Sequence, residues 1–149
     1  MVLTMSHQGQ LGQLESRGEV ETLALGAALG RLLRPGHVVG LTGGLGAGKT
    51  RVAAGVARGM QVPESVYVSS PTFTLINEYP GHGLTLVHMD YYRLDDPEQL
   101  VELGVDEYLG GDAACVVEWF DRFPEAFPRR FLRVFIDVTG DCTRQLRLE

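Results

Sequence analysis

The sequence predicts an α/β fold whose sheet is parallel around one glycine-rich loop and antiparallel elsewhere. Two observations predict this fold. An apolar run at 37–42 leads directly into the glycine-rich loop and then into a helix-forming stretch, which is the order of elements around a parallel strand. Further along, the sequence PGHG at 80–83 separates two strand-like runs, which is typical of an antiparallel hairpin.

Length and composition narrow the class of protein. The chain has 149 residues, 44% of them hydrophobic, so one domain with a substantial core is expected. The net charge of −6 disfavours a domain that binds nucleic acid on its own, since such domains carry a basic face. No apolar run approaches the ~20 residues that cross a bilayer, and no secretory signal opens the chain. We therefore expect a cytoplasmic protein that does not enter membranes.

The first part of the chain divides into a tail and the start of a domain. Residues 1–12 are polar and unpatterned, so we expect a flexible tail followed by a single domain over 13–149. Ser16 and Glu19 fit a capping box, which predicts the start of a helix. Apolar residues at helical spacing continue that helix as far as the PG pair at 35.

The later elements are predicted by the same local signals. Alternating or apolar runs between turn residues predict strands, and an Asp-Pro start with an acidic first turn predicts a helix that Gly104 interrupts. In chain order we expect a strand at 37–42, a helix at 49–60, a strand at 65–70, a hairpin of 73–79 and 84–90, a helix capped by Asp96 and running to 109, a strand at 114–119, and closing strands at 131–138 and 143–148.

The loop GGLGAGKT at 43–50 satisfies the pattern G-x-x-x-x-G-K-[ST], with a predicted strand before it and a predicted helix after it. Its glycines allow backbone N–H groups to converge on an anion, and the following helix adds the positive end of its dipole. Lys49, the only lysine in the sequence, would reach the β- and γ-phosphates, and Thr50 would hold Mg²⁺. The sequence thus predicts a P-loop NTPase-like three-layer sandwich with a mixed parallel and antiparallel sheet.

A nucleotide loop of this kind needs a carboxylate for Mg²⁺, held directly or through water at the end of a neighbouring strand. Two acids qualify, Asp90 after LVHM and Glu118 after CVV. His88 alternates with Asp90 and would share its face of the strand, but a pair of ligands alone is weak support for a transition-metal site. Trp119 either stacks near the nucleotide or fills the core.

The segment SSPTFT at 69–74 places hydroxyl groups around a proline. Such a loop, with hydroxyls at Ser69, Ser70, Thr72 and Thr74, would sense the γ-phosphate, as switch segments do. The alternative is a polar turn that leads into a strand.

Several segments, taken together and in order, resemble the TsaE (YjeE) family. They are GGLGAGKT, SPTFTLINEY, HMDYYRL, ELGVDEYL and VVEWFDR, and the resemblance runs from about Glu19 to the last strand. The family is one of bacterial P-loop ATPases that act in making threonylcarbamoyladenosine (t6A), a modified adenosine next to the tRNA anticodon. Its partners, TsaD and TsaB, carry the transferase site. The resemblance implies that ATP drives or resets that complex, and that tRNA is met only indirectly.

The resemblance also implies roles for individual residues. Asp90 would be a second essential acid, and the region of Asp141 to Thr143 would close over the nucleotide. The nucleotide-binding set would be Leu45, Gly46, Ala47, Gly48, Lys49, Thr50, Glu19, Thr22 and Trp119; the metal ligands would be Thr50 and Glu118; and the catalytic set would be Lys49, Thr72, Asp90 and Glu118.

Three positions depart from the family pattern, which usually has Asp at Gly44, a second Thr at Arg51 and often Pro at Phe120. Two other functions also fit a nucleotide loop. A small-molecule kinase needs a substrate lobe and an arginine-bearing lid, and the acidic stretch between Leu94 and Cys115 contains no arginine. A nucleotide-binding interaction module without turnover is the second alternative.

Overall fold

The computed structural model describes residues 11–149, which form one seven-stranded sheet flanked by short and long helices. The strands are β1 (Gly12–Ser16), β2 (Val38–Gly43), β3 (Ile76–Pro80), β4 (Thr85–Asp90), β5 (Ala114–Glu118), β6 (Leu132–Val138) and β7 (Arg144–Leu148). The helices are α1 (Glu19–Gly30), α2 (Lys49–Gly59), α3 (Glu98–Glu102) and α4 (Val105–Tyr108), and two 3-10 turns cover Phe120–Arg122 and Pro124–Ala126.

The sheet has the strand order β1-β7-β6-β2-β5-β4-β3. The four inner strands β6, β2, β5 and β4 are parallel, whereas β3, β7 and β1 add antiparallel edges. The mixed sheet is therefore confirmed. Because parallel strands end at one edge of the sheet, the last residues of β4 and β5 lie side by side, and Asp90 is in register with Glu118.

Alternation along the inner strands separates two cores. In β5, Ala114 and Val116 face a core beneath α1 and α2, while Cys115 and Val117 face a second core that includes Leu100 and Val105 of the short helices. A sheet that is apolar on both faces needs a layer on each side. The predicted three-layer sandwich is confirmed. No helix in the described part of the chain is both long and apolar enough to cross a membrane.

Helices α1 and α2 approach each other so closely that glycine is needed at the seam. A Cβ added to Gly26 would meet the carbonyl oxygen of Val52, and one added to Gly55 would meet that of Leu23. The backbones of the two helices are therefore in direct contact at these glycines, with no side chain between them. This packing fixes the start of α1 against the phosphate loop at the start of α2.

Four local predictions were wrong or shifted, two of them at the start of the domain. Gly12, expected in the tail, begins β1, which pairs with the distant β7; residues 1–10 of the expected tail lie outside the described part of the chain. Ser16 is no helix cap. It ends β1, and its hydroxyl is 2.7 Å from that of Thr22. The N-cap of α1 is Gly18, without a side-chain cap.

The other two differences have equally local causes. Val66 and Val68 pack on the core as the alternation predicted, but 65–70 forms no strand, because within 11–149 no strand lies alongside it. The helix expected from Asp96 begins one residue late, at Glu98, whose N–H donates to Asp96 Oδ1 at 2.8 Å. Gly104, with φ 68°, ends it as predicted and begins α4.

Candidate nucleotide site

The loop between β2 and α2 has the backbone that an anion cradle requires. Gly46 and Gly48 have φ values of 75° and 113°, which a residue with a Cβ rarely adopts. Among the described residues, no atom lies within 4 Å of the positions that a Cβ would occupy on Gly44 and Gly46, so the loop is open at these two positions. Helix α2 begins at Lys49, so its first N–H groups point toward the same space.

Lys49 is only 5% exposed and lies across the mouth of the loop. Its Nζ donates hydrogen bonds to the carbonyl oxygens of Gly43 and Gly44, at 2.7 and 2.8 Å. Burial lowers the pKa of the ammonium from its ordinary value, and the carboxylates of Glu118 and Asp90 partly oppose that change. The direct hydrogen-bond partners of this buried cation are neutral carbonyl oxygens, which an anionic ligand could replace.

Trp119 covers the other side of Lys49. The ammonium lies 3.9 Å from the centroid of the indole ring, close enough for a cation–π interaction. The residue adopts φ 58°, the left-handed region that costs a residue with a Cβ about 1–2 kcal/mol. That turn directly after β5 brings the ring back over the loop. Trp119 thus belongs to the site and also touches the second core.

Thr50 and Glu118 meet at the end of β5. The Thr50 hydroxyl lies 3.0 and 3.2 Å from the two oxygens of the Glu118 carboxylate. The hydroxyl and the carboxylate both present oxygen atoms from rigid elements, and Mg²⁺ prefers oxygen ligands. The side chains of the two residues expected to bind the same metal ion are therefore adjacent.

Asp90 is linked to the hydroxyl segment. Its Oδ2 accepts a hydrogen bond from Ser70 at 2.6 Å, and its Oδ1 accepts one from the backbone N–H of Tyr92 at 2.8 Å. Thr72 in turn donates to Ser70 at 3.2 Å. A chain of hydrogen bonds thus runs from the loop at 69–74 to the end of β4.

Two cavities border the glycine loop. The larger, of about 360 Å³, contains the predicted phosphate, metal and switch residues. The smaller, of about 260 Å³, lies on the other side of the loop and contains Glu19, Thr22, Asp141 and Cys142. Gly46, Ala47, Gly48 and Arg51 line both of them.

The predicted nucleoside contacts differ in availability. Glu19, at the start of α1, is exposed and pairs with Arg51 across 3.2 Å. Thr22 is 3% exposed, and its hydroxyl is taken up by Ser16 and by the carbonyl oxygen of Gly18. Thr22 therefore supports the cavity wall, while Glu19 and Arg51 offer charged groups at its opening.

A family model for "Threonylcarbamoyl adenosine biosynthesis protein TsaE" matches residues 16–146. The chain belongs to the TsaE family. A TsaE protein of Bacillus subtilis is 40% identical over 126 residues, which is 85% of this chain and 77% of that protein. A TsaE protein of Treponema pallidum is 40% identical over 88% of this chain and 95% of that protein. The crystal structure of Bacillus subtilis YdiB matches with a TM-score of 0.80 and 35% identity, covering 96% of this chain and 87% of that one.

At the three positions expected to depart from the family pattern, the structure shows what the residues present do. Gly44 leaves open space beside the loop, and Arg51 adds a guanidinium that holds Glu19. Phe120 packs against Gly40, whose missing Cβ gives the ring its place. Gly44 carries no acidic group and Arg51 adds a basic one, so both residues make the charge of this TsaE site more positive than the expected pattern would.

Sequence reasoning missed three residues at this TsaE site. His88 lies 2.8 Å from Glu118 on the neighbouring strand, and Arg144 donates from Nε to the carbonyl oxygen of Ala47 at 2.9 Å. Ser70 is one of four hydroxyl-bearing residues in the segment 69–74, and no local signal distinguishes it from the others. The signal for His88 was present, since its alternation with Asp90 places both on one face, but its partner became visible only with the strand order.

Proposed function

We propose that this TsaE-family protein binds ATP with Mg²⁺, hydrolyses it, and thereby supports t6A formation on tRNA. The observation that carries the proposal is the meeting of Thr50 and Glu118 within 3.0 Å, beside the buried Lys49. A phosphate cradle, a cation and a pair of magnesium-type ligands thus converge on one cavity.

In this proposal the residues of the loop bind and orient the phosphates. Lys49 exchanges its carbonyl partners for the β- and γ-phosphates, and the N-terminus of α2 stabilises their charge. Thr50 and Glu118 would hold Mg²⁺, and the chemistry that the ion would supply is electrostatic stabilisation of the phosphate oxygens. The nucleoside occupies the smaller cavity, with Glu19 and Arg51 at its opening.

Asp90 and the hydroxyl segment supply the next step. The Asp90 carboxylate lies at the same sheet edge as Glu118 and lines the phosphate cavity, so it can accept a hydrogen bond from an attacking water. Ser70 and Thr72 connect that carboxylate to the loop at 69–74. A change at the γ-phosphate is thereby passed to the surface of the protein.

We expect slow turnover by the protein alone, because the nearby arginines are already engaged. Arg144 donates to the carbonyl oxygens of Ala47, Gly140 and Thr143, and Arg51 pairs with Glu19. Neither is placed as an arginine finger on the transferring phosphate. In this proposal TsaD- and TsaB-like partners in the cytoplasm stimulate hydrolysis or are reset by it, and tRNA is met through them.

The test is an ATP hydrolysis assay with and without these partners. Glu118→Gln keeps the shape of the side chain but loses its charge, and kcat is expected to fall roughly 100-fold. Glu125→Gln, at an exposed position away from the cavity, is the matched control and is expected to leave kcat unchanged.

Each outcome assigns a function. Absence of turnover under all conditions, with nucleotide binding intact, would indicate a binding module. Transfer of phosphate to a metabolite would indicate a kinase. Unchanged kcat in Glu118→Gln would remove the metal role from this residue.

A further inference from the structure

His88 lies directly beneath the site and is completely buried. One ring nitrogen, Nε2, is 2.8 Å from Oε1 of Glu118, and the other, Nδ1, has no hydrogen-bond partner within residues 11–149. We propose that His88 is a positioning residue that orients the Glu118 carboxylate toward the metal. The inference rests on the proposed metal role of Glu118.

The register of the sheet explains the contact. Strands β4 and β5 are parallel, with Asp90 beside Glu118 and His88 beside Val116, so His88 lies two residues deeper than the acids. His88 shares a strand face with Leu86, and Glu118 shares one with Val116; both of these apolar residues belong to the core beneath α1 and α2. The two side chains therefore meet under the phosphate loop.

The direction of the hydrogen bond follows from the partner. An ionised carboxylate only accepts, so Nε2 carries the hydrogen and donates it to Oε1. The buried Nδ1 then remains without a partner, which an apolar side chain of similar size would avoid. A histidine at this position stabilises the core less than an apolar side chain would, but it can fix the orientation of the Glu118 carboxylate. The residue is therefore better explained by a role at the metal site than by a role in core packing.

His88 is the one donor to Glu118 that metal binding leaves in place. The other donor in the described structure is the Thr50 hydroxyl, which is itself a proposed metal ligand and gives up this bond when it binds the ion. The imidazole, held on the rigid strand β4, then keeps Oε1 in position. Residues that hold a ligand in this way typically change metal affinity 10- to 100-fold when mutated.

The test compares two amides. His88→Gln places its amide nitrogen near the position of Nε2, whereas His88→Asn carries the same amide one methylene shorter and does not reach Glu118. Mn²⁺ affinity is measured by electron paramagnetic resonance in the presence of a non-hydrolysable ATP analogue. Affinity for the analogue alone is measured in EDTA, and folding is checked by thermal melting.

We expect His88→Asn to weaken Mn²⁺ binding at least ~10-fold, with His88→Gln within about threefold of the wild type. Analogue affinity in EDTA should be the same in all three proteins. Equal Mn²⁺ affinity in the wild type and His88→Asn, or equal loss in both amides, overturns the inference. Should His88→Asn not fold, His88→Met supplies a second variant without the donor, judged by the same comparison.

A separate arm distinguishes failure of the inference from failure of the proposed function. Glu118→Gln is titrated with Mn²⁺ under the same conditions. If it binds Mn²⁺ as the wild type does, Glu118 is no metal ligand, and both the proposed metal role of Glu118 and the role of His88 are overturned. If Glu118→Gln loses affinity and His88→Asn does not, only the inference about His88 is wrong.

Discussion

The hydroxyl of Ser70 donates a hydrogen bond to Oδ2 of Asp90 across 2.6 Å, tying the loop before β3 to the end of β4. The loop residues and the acid are twenty positions apart in the chain, and the backbone around Ser70 belongs to no strand. This bond is therefore the direct connection between a candidate catalytic carboxylate and a segment that is free of the sheet.

Ser70→Ala tests that connection. Asp90 keeps its bond from the N–H of Tyr92, so the carboxylate stays in place while its side-chain link to the loop is lost. We expect kcat for ATP hydrolysis to fall about 10-fold with little change in ATP affinity, since one hydrogen bond to a charged group is worth about 1.5–3 kcal/mol. Ser65→Ala, at an exposed position on the same segment, is the control. Loss of affinity instead of kcat would place Ser70 in ground-state binding.

Trp119 provides an intrinsic probe of the site, because it is the only tryptophan of the sequence. Its ring lies 3.9 Å from the Lys49 ammonium. Phosphates that draw the ammonium away change the charge at the indole, so tryptophan fluorescence should shift and saturate with added ATP. Lys49→Met should abolish the change. A fluorescence response that persists in Lys49→Met would mean that the ring senses the nucleotide by another contact.

The glycine seam between α1 and α2 can be tested by a single methyl group. Gly26→Ala forces a Cβ against the carbonyl oxygen of Val52, so the helices must separate. We expect the free energy of unfolding to fall by about 1–3 kcal/mol. That corresponds to several degrees in Tm for a domain of this size.

Gly44→Ala is the control for the seam. Within residues 11–149 no atom lies within 4 Å of the added methyl group, so the free energy of unfolding should change by no more than about 0.5 kcal/mol, as for an ordinary surface substitution. Equal destabilisation by both substitutions would show that the contact between the helices is not the cause.

The two cysteines should differ sharply in reactivity. Cys115 is fully buried, and burial raises the pKa of its thiol to about 12, whereas Cys142 is exposed at the smaller cavity. A disulfide reagent should modify one thiol per native chain and two after denaturation, since the thiolate is the reactive form.

The same labelling locates the nucleoside. ATP should slow modification of Cys142 more than tripolyphosphate does, because in the proposed function the nucleoside fills the smaller cavity that Cys142 lines. Equal protection by the two ligands would place the nucleoside elsewhere.

Local signals in the sequence were enough to predict the phosphate loop and the strand ends that carry Asp90 and Glu118. The loop pattern is contiguous, and acids that follow apolar strands mark one edge of a parallel sheet. The mixed sheet and the three layers followed from the same pattern of elements.

The remaining features depend on contacts between distant parts of the chain. Strand β1 exists because it pairs with β7, and the sequence GQLES has little strand character of its own. The contact of His88 with Glu118 needs the adjacency of β4 and β5, and that of Arg144 with Ala47 spans 97 positions. The spacing of apolar residues along the chain does not encode such contacts. At 65–70 the residues alternate as in a strand, but no neighbouring strand within 11–149 pairs with them and no strand forms.

The single lysine has one more consequence. Every other basic side chain in the sequence is arginine or histidine, so amine-directed chemistry can reach only one side chain, and that side chain bridges the phosphate loop and Trp119. Acetylation of that amine would remove the positive charge from the cradle in a single event. Occupancy of the loop can accordingly be followed as protection of one acylation site, with no background from surface lysines.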